Sequence, residues 1–343
     1  MVNDRRRRPG VALALLLAGA AVIAGCGAPA AAPPKAAEAL RNCGADVPLV
    51  PPERIFAAFQ NGIEAVYALG AGDRVVGAAY LDNRLPQDIA SRFHPQEYFP
   101  EEYPSREEVL RLAPDLVVSG FTGAVSREGL GTRAELAALG ANAYVFRSFC
   151  PSVDGAGQTS LAANDASLES VYADLSDLGR LLGEPDRATG IVERMRATVA
   201  STQERLAGVA ERPRVAMVNR PGGSGPMRVF GTGDVATTII ETAGGTQAFP
   251  EIDGRMKRVD TEALIAARPD VIVVPSCCGA DEELGAATRT IAELRADPAL
   301  AQVPAVRDGR LVPITFAEIS PGIRNADAVA TLARVLHPDR FGR

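Results

Sequence analysis

Cysteines, strand-end arginines and aromatics, and two glutamates at matching offsets carry most of the chemistry that this 343-residue chain offers. Cys43, Cys150, Cys277 and Cys278 allow three pairings. Outside the cytoplasm such thiols tend to oxidise. Cys43 and Cys150 flank the first predicted sheet, which favours that bridge and leaves the adjacent Cys277 and Cys278 as a vicinal disulfide or as free thiols. A cysteine-based metal site is the rival reading, with no CxxC spacing behind it. His94 and His337 are the only histidines, too few for a first-row metal site, so no metal is expected. Neither a GxSxG elbow nor a P-loop is present, and GTGDVATTIIETAGG reads as a turn and a helix C-cap. No cofactor and no enzymatic activity are expected; a reductase using Cys277 and Cys278 is the enzymatic alternative.

A second group of residues follows predicted strands: Gln60, Asn61, Tyr80, Asp82, Arg84, Phe121, Arg147, Asn219, Arg220, Phe230 and Arg324. Ligands of open α/β sheets bind at the carboxyl ends of strands. There, Arg suits anionic oxygens and aromatic faces add stacking. A single Arg is more often a solvated surface charge, so the shared placement is what singles these residues out.

The elements that must position them come from a stretch that occurs twice, SREEVLRLAPDLVV from Ser105 and DTEALIAARPDVIV from Asp260. Each copy opens on an N-cap residue, continues as a short helix, ends at Pro114 or Pro269, and runs into a buried strand. Glu107 and Glu262 occupy the same first-turn position, seven places before the proline. First-turn acids favour the positive end of a helix dipole, which by itself accounts for them. Internal similarity reports repeated architecture. Around the copies, strands alternate with helices. Arg54–Phe59 is a strand, Gln60-Asn61-Gly62 a turn, and Val75–Tyr80 a second strand. Arg214–Asn219 and Arg310–Ile314 are strands in the later half, and Asn325–Leu336 is a terminal helix. Ser167–Leu182 and Asp186–Leu206 are the longest helical segments, suited to a spine between two lobes.

Arg5–Arg8 followed by Val11–Ile23 reads as an export signal, and Ile23-Ala24-Gly25-Cys26 resembles a bacterial lipobox, which makes Cys26 the expected lipid anchor. The Ala- and Pro-rich residues after it read as a tether. The net charge of −6 includes four Arg and one Asp before Cys26, so the remaining chain is more acidic still, which argues against nucleic acid as a partner. The expected division is signal 1–25, anchor and tether 26–45, first α/β lobe 46–165, connecting helices 166–210 and second α/β lobe 211–343.

RIFAAFQNGIEAVYALGAGDRVVGAAY, YPSREEVLRLAPDLVVSGF, VFGTGDVATTIIETAGG and VDTEALIAARPDVIVV, in this order after a lipobox, resemble the class III substrate-binding lipoproteins of ABC importers for ferric siderophores, haem and cobalamin. The resemblance covers the chain from about Arg54. It implies two Rossmann-like lobes joined by one long helix, a ligand cleft between them, and slight closure. It also implies that Glu107 and Glu262 dock into arginine pockets of a permease. The expected ligand is a ferric siderophore that brings its own iron, with haem or cobalamin as the alternative. The protein is expected outside the cytoplasm, held to the membrane by its lipid, and acting as a monomer. A surface sensor or adhesion lipoprotein is the reading from another class. QNG at residues 60–62, SFCPSVDGAGQTS and SCCGADEE depart from the family pattern, and the last two fall at strand ends.

Overall fold

Runs of Val, Ile, Ala and Phe too apolar for any exposed strand become the middle strands of two sheets. A computed structural model describes residues 38–100, 104–155, 166–220 and 227–342. Cys26, the signal and most of the tether lie outside these residues.

The first sheet is all parallel, in the order Glu97–Phe99, Val75–Ala79, Ile55–Ala58, Leu116–Ser119, Asn142–Val145. Its three central strands are buried along their whole length, as strands covered on both faces by helices must be. The second sheet is mixed, in the order Met256–Arg258, Arg228–Phe230, Arg214–Asn219, Val271–Ser276, Leu311–Thr315, with Thr246–Gln247 also pairing with Arg214–Asn219. Its last three strands on this path are parallel, whereas Arg228–Phe230 runs antiparallel to both of its neighbours. Among the described residues that antiparallel ribbon has no counterpart in the first sheet.

Between the sheets lie Leu168–Leu182 and Pro185–Arg205. Gly183, at φ 76°, ends the first helix in the left-handed conformation, and Pro185 starts the second. A side chain at Gly179 would collide with Ala188, so the two helices pack at close quarters. The 21-residue second helix buries Ala188, Ile191, Val192 and Met195 and packs on both Leu168–Leu182 and Asn325–Leu336. Arg187 of this helix also donates through Nε to the Ala68 carbonyl at 2.8 Å, so the helix touches both lobes. One hydrophobic core runs through the first sheet, both helices and one face of the second sheet, and a smaller core fills the other face.

The repeat is realised twice in three dimensions. Ser105 accepts from Glu108 N–H in a capping box that starts Arg106–Arg111, and Asp260 accepts from Ala263 N–H to start Thr261–Ala267. At the far end Arg54 donates through Nε to the Leu112 and Ala113 carbonyls at 3.1 Å, and Arg214 donates to the Ala267 carbonyl at 3.1 Å. A cation at a helix C-terminus also complements the dipole. The aspartate after each proline accepts from the same arginine's backbone, Asp115 from Arg54 N–H at 3.0 Å and Asp270 from Arg214 N–H at 2.8 Å.

Two boundaries differ from the sequence reading. Ala39–Asn42 and Ala45–Pro48 form an antiparallel hairpin, which overlaps the span assigned to the tether. Leu40 and Val47 are buried, Asn42 bonds both backbone groups of Val145, and the Sγ atoms of Cys43 and Cys150 stand 2.05 Å apart. Gln60-Asn61-Gly62 is the first turn of the helix Gln60–Ala68 and not a loop. The reversal takes place one residue earlier, at Phe59, whose φ of 66° bends strand directly into helix.

Candidate functional site

Each central strand ends by turning a side chain into one cleft of about 530 Å³. Phe59, Tyr80 and Phe121 enter it from the ends of the first sheet's strands, with Asp82 just beyond. Asn219, Arg220, Cys277 and Phe316 enter it from the ends of the second sheet's strands. The antiparallel ribbon adds Arg228 and Met256, with Arg255 immediately before it.

The first-lobe wall is aromatic. Phe59 packs against Phe121 at 4.9 Å between ring centroids and against Tyr80 at 6.0 Å, and Phe121 against Phe149 at 5.4 Å. Phe59 and Tyr80 both take positive φ, 66° and 63°. For a bulky side chain a positive φ of this kind costs about 1–3 kcal/mol. Strain of this kind concentrates where a fold aims a side chain at a functional surface. Backbone bonds hold both residues in place, Phe59 N–H to the Ala79 carbonyl at 2.8 Å and Tyr80 N–H to the Phe99 carbonyl at 2.9 Å.

The second-lobe wall is cationic. Arg255 is buried, its Nε donates to Asp234 at 2.8 Å, and its guanidinium lies 4.9 Å from the Phe121 ring and 6.0 Å from the Phe316 ring. Burial raises the Asp234 carboxyl above its ordinary range, while the Arg255 charge pulls it down. Asp234 also caps the helix Val235–Thr242 by accepting from Ala236 N–H. Arg255 is thereby fixed in place with its charge partly balanced. Arg220 reaches Glu293 at 3.5 Å. Arg228 has no ion-pair partner among the described residues and lines the cleft.

Of the sequence-predicted ligand residues, Tyr80, Asp82, Phe121, Asn219 and Arg220 line the cleft. The others do not. Arg324 pairs with Glu64, and Gln60 donates to Glu64 at 2.7 Å while accepting from Asn83 N–H at 2.8 Å. Asn61 donates to the carbonyls of Gly120 and Pro321, both at 2.8 Å. Asn61 and Arg324 are thus ties between the lobes, whereas the bonds of Gln60 stay within the first lobe. The ties join residues 260 positions apart, and buried polar groups must find such partners. Arg84 is exposed and pairs with Glu283 at 2.6 Å. Arg147 turns away to Asp174 at 2.8 Å and Asp177 at 2.6 Å on the connecting helix. Phe230 is core, packed on Phe316. Phe59, Arg228, Arg255, Met256 and Phe316 were not singled out from the sequence.

Glu107 and Glu262 are both exposed on the first turns of their helices, with no hydrogen bond or ion pair to their carboxylates among the described residues. Cys277 and Cys278 stand as an adjacent bonded pair on the cleft wall. No helix among the described residues is long and apolar enough to cross a membrane.

A family model described as periplasmic binding protein matches residues 55–317. An uncharacterized ABC transporter substrate-binding lipoprotein of Bacillus subtilis, YvrC, is 25% identical over 279 residues, 78% of this chain and 81% of that protein. The crystal structure of an ABC-type Fe3+-hydroxamate transport system from Saccharomonospora viridis superposes with a TM-score of 0.69 at 25% identity, covering 90% of this chain and 100% of that one. The periplasmic heme-binding protein BhuT, in complex with two hemes, superposes with a TM-score of 0.58 at 27% identity, covering 84% of this chain and 99% of that one.

Proposed function

The chain belongs to the periplasmic binding protein family, a family of binding proteins and not of enzymes, and from that premise we propose that it captures a ferric siderophore for an ABC permease. The observation that carries the ligand reading is the pairing of a fixed aromatic wall with Arg228, a cation on the cleft that lacks an ion-pair partner among the described residues. A ferric chelate that is anionic and carries aromatic or planar donors satisfies both walls, through charge-assisted bonds on one side and stacking on the other. The likeness to the Fe3+-hydroxamate system supports the same class. Haem has support of its own in the likeness to BhuT and in a tyrosine at the cleft, since tyrosine can ligate haem iron.

Cys26 anchors the protein by lipid outside the cytoplasm, in keeping with the lipoprotein relative. The Cys43–Cys150 bridge pins the first hairpin. Glu107 and Glu262, exposed and free of partners among the described residues, seat the loaded protein against permease arginines and set its orientation.

A thermal-shift panel of ferric hydroxamates, catecholates and carboxylates, haem and cobalamin tests the ligand. A ligand at ~100 times its dissociation constant adds roughly 2.7 kcal/mol of stability. Stabilisation by a ferric chelate is expected. Stabilisation by haem or cobalamin alone would move the ligand while keeping the cleft.

A further inference from the structure

We infer that the cleft wall holds a redox-gated site for a soft divalent cation, formed by the thiolates of Cys277 and Cys278 with the carboxylate of Asp82. Such a site does not depend on the identity of the transported solute. The donor atoms of the three residues lie within 4.8 Å of one another, and Cys277 Sγ is 3.6 Å from Asp82 Oδ1. One ion draws such donors in to about 2.3 Å for sulfur and about 2.0–2.2 Å for oxygen.

The three residues come from both lobes, and hydrogen bonds to backbone carbonyls hold the two segments together. Gly279 N–H donates to the Asp82 carbonyl at 3.1 Å, Asn83 Nδ2 to the Ser276 carbonyl at 3.0 Å, and Arg84 N–H to the Glu282 carbonyl at 3.0 Å. All three side chains line the cleft, so a cation held there keeps a position open to water or solute. Charge points the same way. Two thiolates and a carboxylate around a divalent ion leave one net negative charge, which suits a cleft that also carries Arg220, Arg228 and Arg255. Sulfur donors select Zn2+ or Cd2+ over Mg2+ and Ca2+.

The joined pair cannot ligate in this way, because the thiolate is the ligand. Opening it takes two electrons and two protons from a dithiol. One thiolate of the donor attacks a cysteine sulfur and breaks the S–S bond, and its second thiol resolves the mixed disulfide. The donor leaves as a disulfide and both cysteines become thiols, whose protons are released when the cation binds.

The test is a Cd2+ titration of the purified protein, oxidised and after anaerobic reduction and desalting, followed by calorimetry and by the thiolate-to-cadmium charge-transfer absorbance. The reduced protein should bind one equivalent and show that band, and the oxidised protein none. Asp82→Asn should weaken binding by about tenfold or more. Cys277→Ser/Cys278→Ser, checked for folding by its melting curve, should abolish the band. Equal binding by this variant would assign the ion to Cys43 and Cys150 and overturn the site. Unchanged affinity in Asp82→Asn would remove the carboxylate from it, and no binding by reduced, folded protein would refute it outright.

Discussion

The first lobe meets the cleft with rings, and the second meets it with guanidinium groups. Away from the cleft the two lobes are built alike. Each has an arginine at the head of a central strand, Arg54 or Arg214, that grips the end of the repeat helix while the aspartate after the proline grips its backbone. Each also has an arginine 2.8 Å from a buried aspartate, Arg147 with Asp174 of the connecting helix in one and Arg255 with Asp234 in the other. The first pair faces the connecting helix, and the second pair puts its arginine on the cleft. The difference traces to the antiparallel ribbon that, among the described residues, only the second sheet carries, which delivers Arg228 and Met256. A shared scaffold thus sets where ligands bind, and a local addition sets what kind of surface they meet.

The largest expected effect comes from breaking the buried pairs. Asp174→Ala leaves the buried Tyr144 hydroxyl and the Arg147 backbone N–H without their acceptor and should cost about 3 kcal/mol in denaturant unfolding, with little change in ligand affinity per folded molecule. Asp234→Ala should cost a similar amount and also weaken ligand binding, because it frees a cleft residue. Equal affinity losses in the two variants would erase the distinction between the pairs.

Next in size is Arg228→Ala. Losing a charge-assisted bond is worth about 1.5–3 kcal/mol, so affinity for an anionic chelate should fall about tenfold or more, with melting temperature nearly unchanged. Glu107→Arg and Glu262→Arg, by contrast, should each stay within about 0.5 kcal/mol of the parent in stability, since exposed sites of this kind tolerate change. Uptake in whole cells should fall for either one, and unchanged uptake in the double variant would remove the docking role.

Asp174 also predicts a pH dependence. Burial pushes its carboxyl up to about 7, against the Tyr144 hydroxyl bond and the Arg147 charge. Its unfolded value is about 3.9. Folding therefore takes up a proton between the two values, so this contribution to stability is full below the lower one and is lost as pH rises through about 7. Asp174→Asn removes that proton uptake, and unfolding free energies from pH 4 to 8 should show a flatter profile than the parent's. The smallest effect separates the repeat copies least: Ala113 and Arg268, each directly before its proline, both take positive φ, 45° and 46°. Ala113→Gly and Arg268→Gly should each stabilise by roughly 0.5–1 kcal/mol, by similar amounts if the copies are equivalent.

Much of the scaffold was legible because it rests on local signals. The repeat, the β-branched strands and the caps specify their own segments, and Arg214–Asn219 and Asn325–Leu336 keep the limits read from sequence. The cleft was only half legible. Tyr80 and Phe121 follow strong strands, so strand-end reasoning finds them. Asn61 and Arg324 satisfy the same rule yet are bonded to partners 260 positions away in the chain, which no local pattern reveals. Arg255 precedes a three-residue edge strand with no periodicity to announce it. Phe59 was hidden because Asn61-Gly62 carries a turn signature, whereas the backbone reverses at the phenylalanine.

Calorimetric titration of the purified protein and its Arg228→Ala variant with ferric hydroxamate, catecholate and carboxylate chelates bears most directly on the two-walled cleft. One chelate class should bind the parent at a single site and bind the variant at least about tenfold more weakly. Well-folded protein that binds none of these chelates, or binds one with no regard to Arg228, would contradict it.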